Sequence, residues 1–159
     1  MKLKNLLVLL GLVLLSLSAG FLGSVFTVSN IPTWYAALNK PFFTPPNYLF
    51  APVWTFLYFS MGVAAWLVWL KREKEPQSGG ALKLFFAQLA LNAVWTPLFF
   101  GLHWLLAAYI EIVLLWLFIL WTIMKFWRIS KTAGLLLIPY IIWVSYASCL
   151  NLAIWWLNR

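Results

Sequence analysis

Five long runs of apolar residues alternate with short polar or proline-rich connectors along this chain of 159 residues. Each run is long enough to cross the hydrocarbon core of a bilayer as a helix, which takes about 20 residues. The predicted helices cover residues 6–28, 49–70, 82–101, 104–124 and 133–157. The pattern therefore predicts an all-α integral membrane protein, a five-transmembrane-helix bundle that forms a single domain over residues 1–159.

The connector at residues 29–48 differs from the others in its proline content. Five of the eight prolines lie between Pro32 and Pro52. Because proline lacks a backbone donor and disfavours the α conformation of the residue before it, we expect no regular helix to cross this segment. The segment is otherwise rich in aromatic and apolar residues, unlike a flexible linker. We therefore predict a shaped lid loop that packs over a cavity, between helices 1 and 2.

The first apolar run has a second interpretation, a cleaved signal peptide. Lys2 and Lys4 precede a leucine-rich stretch, and small residues at 16–20 could supply a cleavage site. The apolar run continues to Val28, well beyond the usual core of a signal peptide, which favours a retained helix.

Charge bears on partners and on orientation. The content of 65% hydrophobic and 9% charged residues excludes an ordinary soluble domain. The net charge of +8 does not indicate nucleic acid, because the basic residues cluster between apolar runs.

The basic residues are distributed unequally between the two sides of the membrane. One side of the bundle holds nine of them, whereas Lys40 and Arg159 lie on the other. The nine are Lys2, Lys4, Lys71, Arg72, Lys74, Lys83, Lys125, Arg128 and Lys131. This bias predicts a cytoplasmic N-terminus, with the lid loop and the C-terminus outside.

Aromatic and amide side chains recur at helical spacing within the predicted spans. Such stripes serve helix packing and interhelical hydrogen bonding, or they line a ligand site, and both interpretations stay open here. The stripes are Trp54, Tyr58 and Met61 in the second span, Gln88, Asn92 and Trp95 in the third, and Trp143, Ala147 and Asn151 in the fifth.

Two ionisable residues also have alternative interpretations. Glu111 is the only acid within a predicted span, where it either serves function or holds neighbouring helices by a hydrogen bond. His103 is interpreted as an interfacial turn residue, with haem or metal ligation as the alternative.

With one histidine, one cysteine and no clustered carboxylates, the chain is not expected to form a standard metal site by itself. It also has no phosphate-binding glycine loop and no paired nucleophile and base, which argues against a conventional hydrolase or nucleotide-driven pump.

The distribution of tryptophan, proline and amide residues resembles that of the translocator proteins, also called tryptophan-rich sensory proteins (TspO/MBR) or peripheral benzodiazepine receptors. The resemblance covers nearly the whole chain. It rests on Trp34, Tyr35, Lys40, Pro41, Pro45, Pro46, Pro52, Val53, Trp54, Leu57, Tyr58, Met61, Gly62, the segment 88–92, Trp95, Pro97, Phe99, Phe100, Gly101, Pro139, Tyr140, Trp143, Ala147, Leu150, Asn151 and Trp155.

This resemblance implies a ligand cavity beneath the first loop of a five-helix bundle that is often a homodimer. The implied ligands are porphyrin, haem and other flat apolar molecules, and no cofactor is required. A bacterial cell membrane is the expected location. The ligand-binding residues implied are Trp34, Tyr35, Pro45, Trp54, Tyr58, Asn92, Trp95, Trp143 and Ala147. Animal members also bind cholesterol, but Leu152 and Trp156 occupy the Tyr and Arg positions of their proposed motif, which argues against cholesterol here.

Three functions follow from the resemblance. The leading one is a membrane binding protein or sensor for tetrapyrroles. The second is light- and oxygen-dependent porphyrin degradation, in which Trp54 and Trp143 would be the catalytic residues. The third is transport of porphyrins or other small ligands, but we find no inverted repeat or pair of broken helices of the kind common in transporters.

Overall fold

In the computed structural model, which describes residues 3–159, every regular element is helical. Within this range five helical spans are long and apolar enough to cross a membrane, which confirms the predicted five-helix membrane fold. Lys2, one of the basic residues counted above, lies outside the described residues. The helices are α1 (Leu3–Asn30), α2 (Phe50–Leu70), α3 (Ser78–Thr96), α4 (Leu105–Ile129), α5 (Lys131–Leu136) and α6 (Ile138–Leu157).

The first span is longer than the sequence pattern predicted. After α1 the chain continues as a π-helical turn, Ile31–Tyr35, so the expectation that the prolines would keep all of residues 29–48 non-helical is wrong for this part. The wider π turn lets the helix continue through Pro32, which has no N–H group and whose ring would clash with a carbonyl in a regular α turn. The lid is therefore shorter than predicted, and here it means residues 38–46.

Other helix boundaries also differ. A π-helical turn, Pro97–Gly101, follows α3, so the third predicted span ends in a wider turn that begins at a proline. α4 runs to Ile129, so Lys125 and Arg128 lie on the helix rather than in the predicted basic connector. Long basic side chains extend toward the membrane surface, so a helix can include them near its end. The fifth span is divided at Leu137 into α5 and α6.

The half of the bundle away from the lid is closely packed. Met61, Ala65 and Val68 of α2 are fully buried. A Cβ atom added at Gly62 would lie 2.5 Å from the Cα atom of Val13 in α1, so the two backbones meet at this glycine. This contact fixes the crossing of α1 and α2 and leaves space for a cavity only toward the lid.

Lys40 closes the lid-side end of the first span. Its Nζ donates to the backbone carbonyls of Tyr35 at 2.8 Å, Leu38 at 2.9 Å and Ala36 at 3.1 Å. The last carbonyls of a helix have no partner within the helix, and a basic side chain can satisfy them. Lys40 thus caps the end of the first span from within the lid.

Candidate functional site

A cavity of about 460 Å³ occupies the lid-side half of the bundle. Its volume falls within the range of roughly 300–1,000 Å³ that is typical of small-molecule sites. Residues of α1, α2, α3, α4 and α6 line it, and most of the lining surface is apolar. Asn47 and Phe50, which follow the lid, line its upper part. The cavity therefore lies in the half of the bundle next to the first loop, although no residue of the lid itself lines it.

Most of the residues expected to contact a ligand do line this cavity. They are Tyr35, Trp54, Tyr58, Asn92, Trp95, Trp143 and Ala147. Two expected residues are placed elsewhere: the half-buried Pro45 belongs to the lid, and Trp34 packs edge-to-face on Phe99, a lining residue on which Trp95 also stacks. Trp34 supports the cavity wall from behind.

His103 fastens the α3–α4 turn to the end of α1. Its ring stacks on the indole of Trp34 with centroids 4.0 Å apart, and its Nε2 lies 3.1 Å from the Oδ1 of Asn30. Its φ of 59° is in the left-handed region, which suits a tight turn. These contacts agree with the interpretation of His103 as an interfacial turn residue.

A chain of hydrogen bonds runs from the cavity wall into the core. Tyr58 Oη donates to Asn92 Oδ1 at 2.6 Å, and Asn92 Nδ2 donates to Tyr140 Oη at 3.0 Å. Tyr140 Oη in turn donates to Gln88 Oε1 at 2.9 Å. All four side chains are buried, and such polar groups are costly in hydrocarbon unless they are paired. The two amides of α3 thus join α3 to α2 and α6, as the interhelical interpretation predicted.

Trp95, one turn after Asn92 in α3, is also held by a hydrogen bond. Its Nε1 donates to Asn151 Oδ1 at 3.2 Å, and Asn151 Nδ2 donates to the carbonyl of Leu105 at 2.9 Å. The indole also stacks on Phe99, with centroids 5.0 Å apart and planes inclined by 22°. Its orientation is therefore fixed before any ligand arrives.

Trp143 differs from the other polar groups of the cavity wall. Its Nε1 is buried and has no hydrogen-bond partner among residues 3–159, and no other buried side-chain nitrogen or oxygen that lines the cavity lacks one. Phe50 packs on the indole edge-to-face at 6.2 Å, and Tyr146 lies 5.6 Å away. A buried N–H without a partner costs free energy, and an acceptor supplied by a ligand would recover it.

Glu111 lies in α4 outside the cavity lining. Its side chain is buried, and neither carboxyl oxygen has a hydrogen-bond partner among residues 3–159. The hydrogen bond that was the structural alternative for Glu111 is thus not seen within the described chain.

Two contacts fasten the lid to α6. The backbone N–H of Asn39 donates to Asn158 Oδ1 at 3.0 Å, and Asn158 Nδ2 donates to the carbonyl of Asn39 at 2.9 Å. Farther along the lid, Tyr146 Oη donates to the carbonyl of Phe43. The lid is therefore held on the α6 side of the cavity mouth.

Replacing Asn158 by alanine is expected to loosen the lid without unfolding the bundle, because it removes both hydrogen bonds to Asn39 and no apolar core. Backbone amides of the lid should exchange with solvent faster, whereas those of α2 should keep their protection and serve as the internal control. Hydrogen exchange followed by mass spectrometry measures both. Unchanged exchange in the lid would mean that other contacts hold it closed.

Sequence reasoning missed the contribution of α1 to the cavity. Gly20, Ser24 and Thr27 line it, whereas Gly23 between them lies against Thr96 of α3. The available signal was the run of small and hydroxyl residues continuing along one side of the helix, which suits a cavity as well as a close helix contact.

Comparison with known proteins agrees with this architecture. The sequence profile of the TspO/MBR family matches residues 12–157. The chain belongs to the TspO/MBR family. It is 45% identical over 155 residues to the tryptophan-rich protein TspO of Archaeoglobus fulgidus, covering 97% of this chain and 99% of that protein.

More distant TspO/MBR relatives include animal proteins. The translocator protein of Bos taurus is 35% identical over 150 residues, covering 94% of this chain and 89% of the relative. The tryptophan-rich sensory protein of Cereibacter sphaeroides is 41% identical over 118 residues, which is 74% of this chain and 72% of that protein. The similarity to the archaeal and bovine proteins thus extends over nearly the whole five-span bundle.

Proposed function

We propose that this TspO/MBR protein is a membrane binding protein or sensor for tetrapyrroles and similar flat apolar molecules. Membership of the family supports a sensor or translocator role in a membrane. The observation that carries the proposal is the cavity itself, in which three indoles line a largely apolar space and the buried N–H of one of them, Trp143, has no partner among residues 3–159.

The walls suit a flat ring. Trp54 stacks on Tyr58 with centroids 5.4 Å apart, and Trp95 stacks on Phe99, so both indoles are held rigidly by aromatic neighbours. Rigid aromatic faces bind a planar ligand with little loss of side-chain entropy. The space between them is apolar, as the macrocycle of a porphyrin is.

We expect Trp143, rather than Asn92, to donate a hydrogen bond to the ligand. Both atoms of the Asn92 amide already have partners, Tyr58 and Tyr140, and this side chain is only 4% exposed. The Trp143 N–H has none among residues 3–159. It would donate to a carbonyl, a carboxylate or an unprotonated ring nitrogen of the ligand.

Transport of anionic ligands has less support. Lys40, the basic residue next to the lid-side end of the first span, donates to three backbone carbonyls, and Glu111 lies outside the cavity lining. Porphyrin degradation would use Trp54 and Trp143, which also line the binding cavity. Illumination distinguishes degradation from binding alone.

As part of this proposal, the lid faces away from the cytoplasm of a bacterial cell. The basic residues Lys71, Arg72 and Lys74 follow α2, and Lys125 and Arg128 lie near the end of α4, all at the end of the bundle away from the lid. The positive-inside rule places that end in the cytoplasm.

Trp143→Phe is expected to weaken binding of protoporphyrin IX roughly 2- to 10-fold, since one neutral hydrogen bond contributes about 0.5–1.5 kcal/mol. The matched control is Trp121→Phe, which changes an indole on the outer surface of α4, outside the cavity lining. The measurement is the shift of the Soret absorption band during titration in the dark, which does not depend on the number of tryptophans.

The same titration decides between the proposed functions. Saturable binding with a spectrum that is stable under light supports a binder or sensor. Bleaching under light that requires oxygen and protein and is reduced in Trp143→Phe favours degradation. If the unmodified protein does not bind protoporphyrin saturably, tetrapyrroles are not its ligands.

A further inference from the structure

The cavity opens sideways between α1 and α2. Phe21 and Val28 of α1 line the cavity, yet they are 73% and 72% exposed. Ala51 and Thr55 of α2 also line it and are exposed. A residue that borders a cavity while its side chain reaches the outer surface lies on the rim of an opening. These four residues, with Ser24 of α1, form the rim of what we call the lateral portal.

The packing of α1 explains the gap. Toward the cytoplasmic end α1 and α2 are in close contact at Gly62 and Val13, and they meet again where Gly20 lies against the Tyr58 ring. Beyond that point α1 packs on the α3 side instead: Gly23 lies against Thr96, and the ring of Phe26 covers Gly101. Because α1 is drawn toward α3 there, it does not close against α2.

The position of the portal places it within the membrane. Thr55 is the sixth residue of α2, and Phe21 lies fourteen residues before the end of the first span at Tyr35. At about 1.5 Å per residue, the rim reaches from Ala51, roughly 2 Å below the start of α2, to Phe21, about 20 Å below the end of the first span. Most of the opening therefore faces lipid acyl chains rather than water.

The chemistry of the rim suits the passage of an apolar molecule. Its two hydroxyl groups are paired with their own helices, since Ser24 Oγ donates to the carbonyl of Phe21 at 2.7 Å and Thr55 Oγ1 donates to that of Ala51 at 2.8 Å. Neither hydroxyl therefore presents a free donor to a passing ring. Ser24, Ala51 and Thr55 are also small, which leaves room between the helices.

The lid, by contrast, is fastened in place. The lid crosses to α6, where Asn158 and Tyr146 hold it. We propose that ligands enter and leave the cavity from the bilayer through the lateral portal, and that the lid does not have to open. This inference rests on the proposed function for the identity of the ligand, a flat apolar molecule dissolved in the membrane.

The test compares a blocked portal with a loosened lid. Thr55→Trp places an indole in the opening, and Phe59→Trp, one turn farther along the outer surface of α2 and outside the cavity lining, is the matched control. Transfer of protoporphyrin IX from lipid vesicles to protein in nanodiscs is followed by stopped-flow fluorescence. Thr55→Trp should lower the association and dissociation rates at least 10-fold each, with Kd changed less than about 3-fold, because a barrier slows both directions equally.

Asn158→Ala should leave these rates unchanged. Faster association in Asn158→Ala, together with unchanged rates in Thr55→Trp, would overturn the portal and make the lid the gate. Ser24→Trp blocks the opening from α1 and repeats the test if Thr55→Trp fails to fold. If folded Thr55→Trp or Ser24→Trp had the same association and dissociation rates as Phe59→Trp, this result would also contradict the proposal.

A second measurement does not need porphyrin. In a Cys149→Ser background, Ala147→Cys places a thiol inside the cavity. A membrane-soluble pyrene maleimide should label it faster than a charged, water-soluble maleimide does, and Thr55→Trp should slow only the former. Such labelling without porphyrin binding would support the portal while removing the proposed ligand. Faster labelling by the charged reagent would exclude the portal as the main route even if porphyrin binds.

Discussion

Replacing Gly62 by leucine is expected to lower the melting temperature of the protein strongly, whereas Gly11→Leu in α1 is expected to have little effect. Even the first side-chain carbon at position 62 would lie 2.5 Å from Val13 Cα and 2.8 Å from Val13 N. These are backbone atoms, so α1 as a whole would have to move. Overpacking of this kind typically costs about 1–3 kcal/mol, and a forced helix displacement costs more.

Gly11 is the matched control because a Cβ atom there meets nothing within 4 Å. Thermal unfolding of both variants in the same detergent, followed by size-exclusion chromatography, measures the difference. Equal melting temperatures would show that α1 and α2 can separate at this crossing without loss of stability. In that case the close contact at Gly62 would not explain why the cavity lies in the lid-side half of the bundle.

Replacing Asn92 by leucine is expected to destabilise the bundle by about 0.5–2 kcal/mol, the range for interhelical hydrogen bonds in membranes. The change removes the acceptor of Tyr58 Oη and the donor to Tyr140 Oη, and Tyr140 keeps its bond to Gln88. The Tyr58 hydroxyl is then buried without its partner. Stability against denaturant, compared with that of the unmodified protein, measures the effect.

Tyr58→Phe provides the control for this interpretation. In the double variant Tyr58→Phe with Asn92→Leu neither polar group of that hydrogen bond remains, so part of the lost stability should return. If Asn92→Leu instead keeps full stability and loses porphyrin affinity, the amide is a ligand contact, as the sequence alone suggested, and the hydrogen-bond chain contributes little.

The two predictions concern two structural supports of the cavity, a helix crossing and a hydrogen-bond chain. The crossing at Gly62 and Val13 holds together the half of the bundle away from the lid, and the chain from Tyr58 to Gln88 fixes one wall of the cavity. Between these supports and the lid, rigid indoles surround a space that a ligand can fill. The interior is thus preorganised, which reduces the entropy lost on binding.

Sequence patterns alone determined the class of fold and much of the cavity wall. Apolar runs of this length have no other stable environment than a bilayer, so five spans follow from hydropathy. Helical spacing also placed Trp54 with Tyr58 and Trp143 with Ala147 on shared faces, because residues three or four apart lie on one side of a helix. All four line the cavity.

Only the tertiary structure decided how those faces are used. Spacing within one helix does not tell which helix it faces, so it left Asn92 equally suited to a ligand or to Tyr58 and Tyr140. It also gave no sign that α1 leans on α3 and leaves a gap beside α2, because that depends on contacts at Gly23 and Gly101 between segments far apart in the chain. The same holds for the Trp143 N–H, which has no partner among residues 3–159, since whether a donor is paired depends on which partners the fold brings within reach.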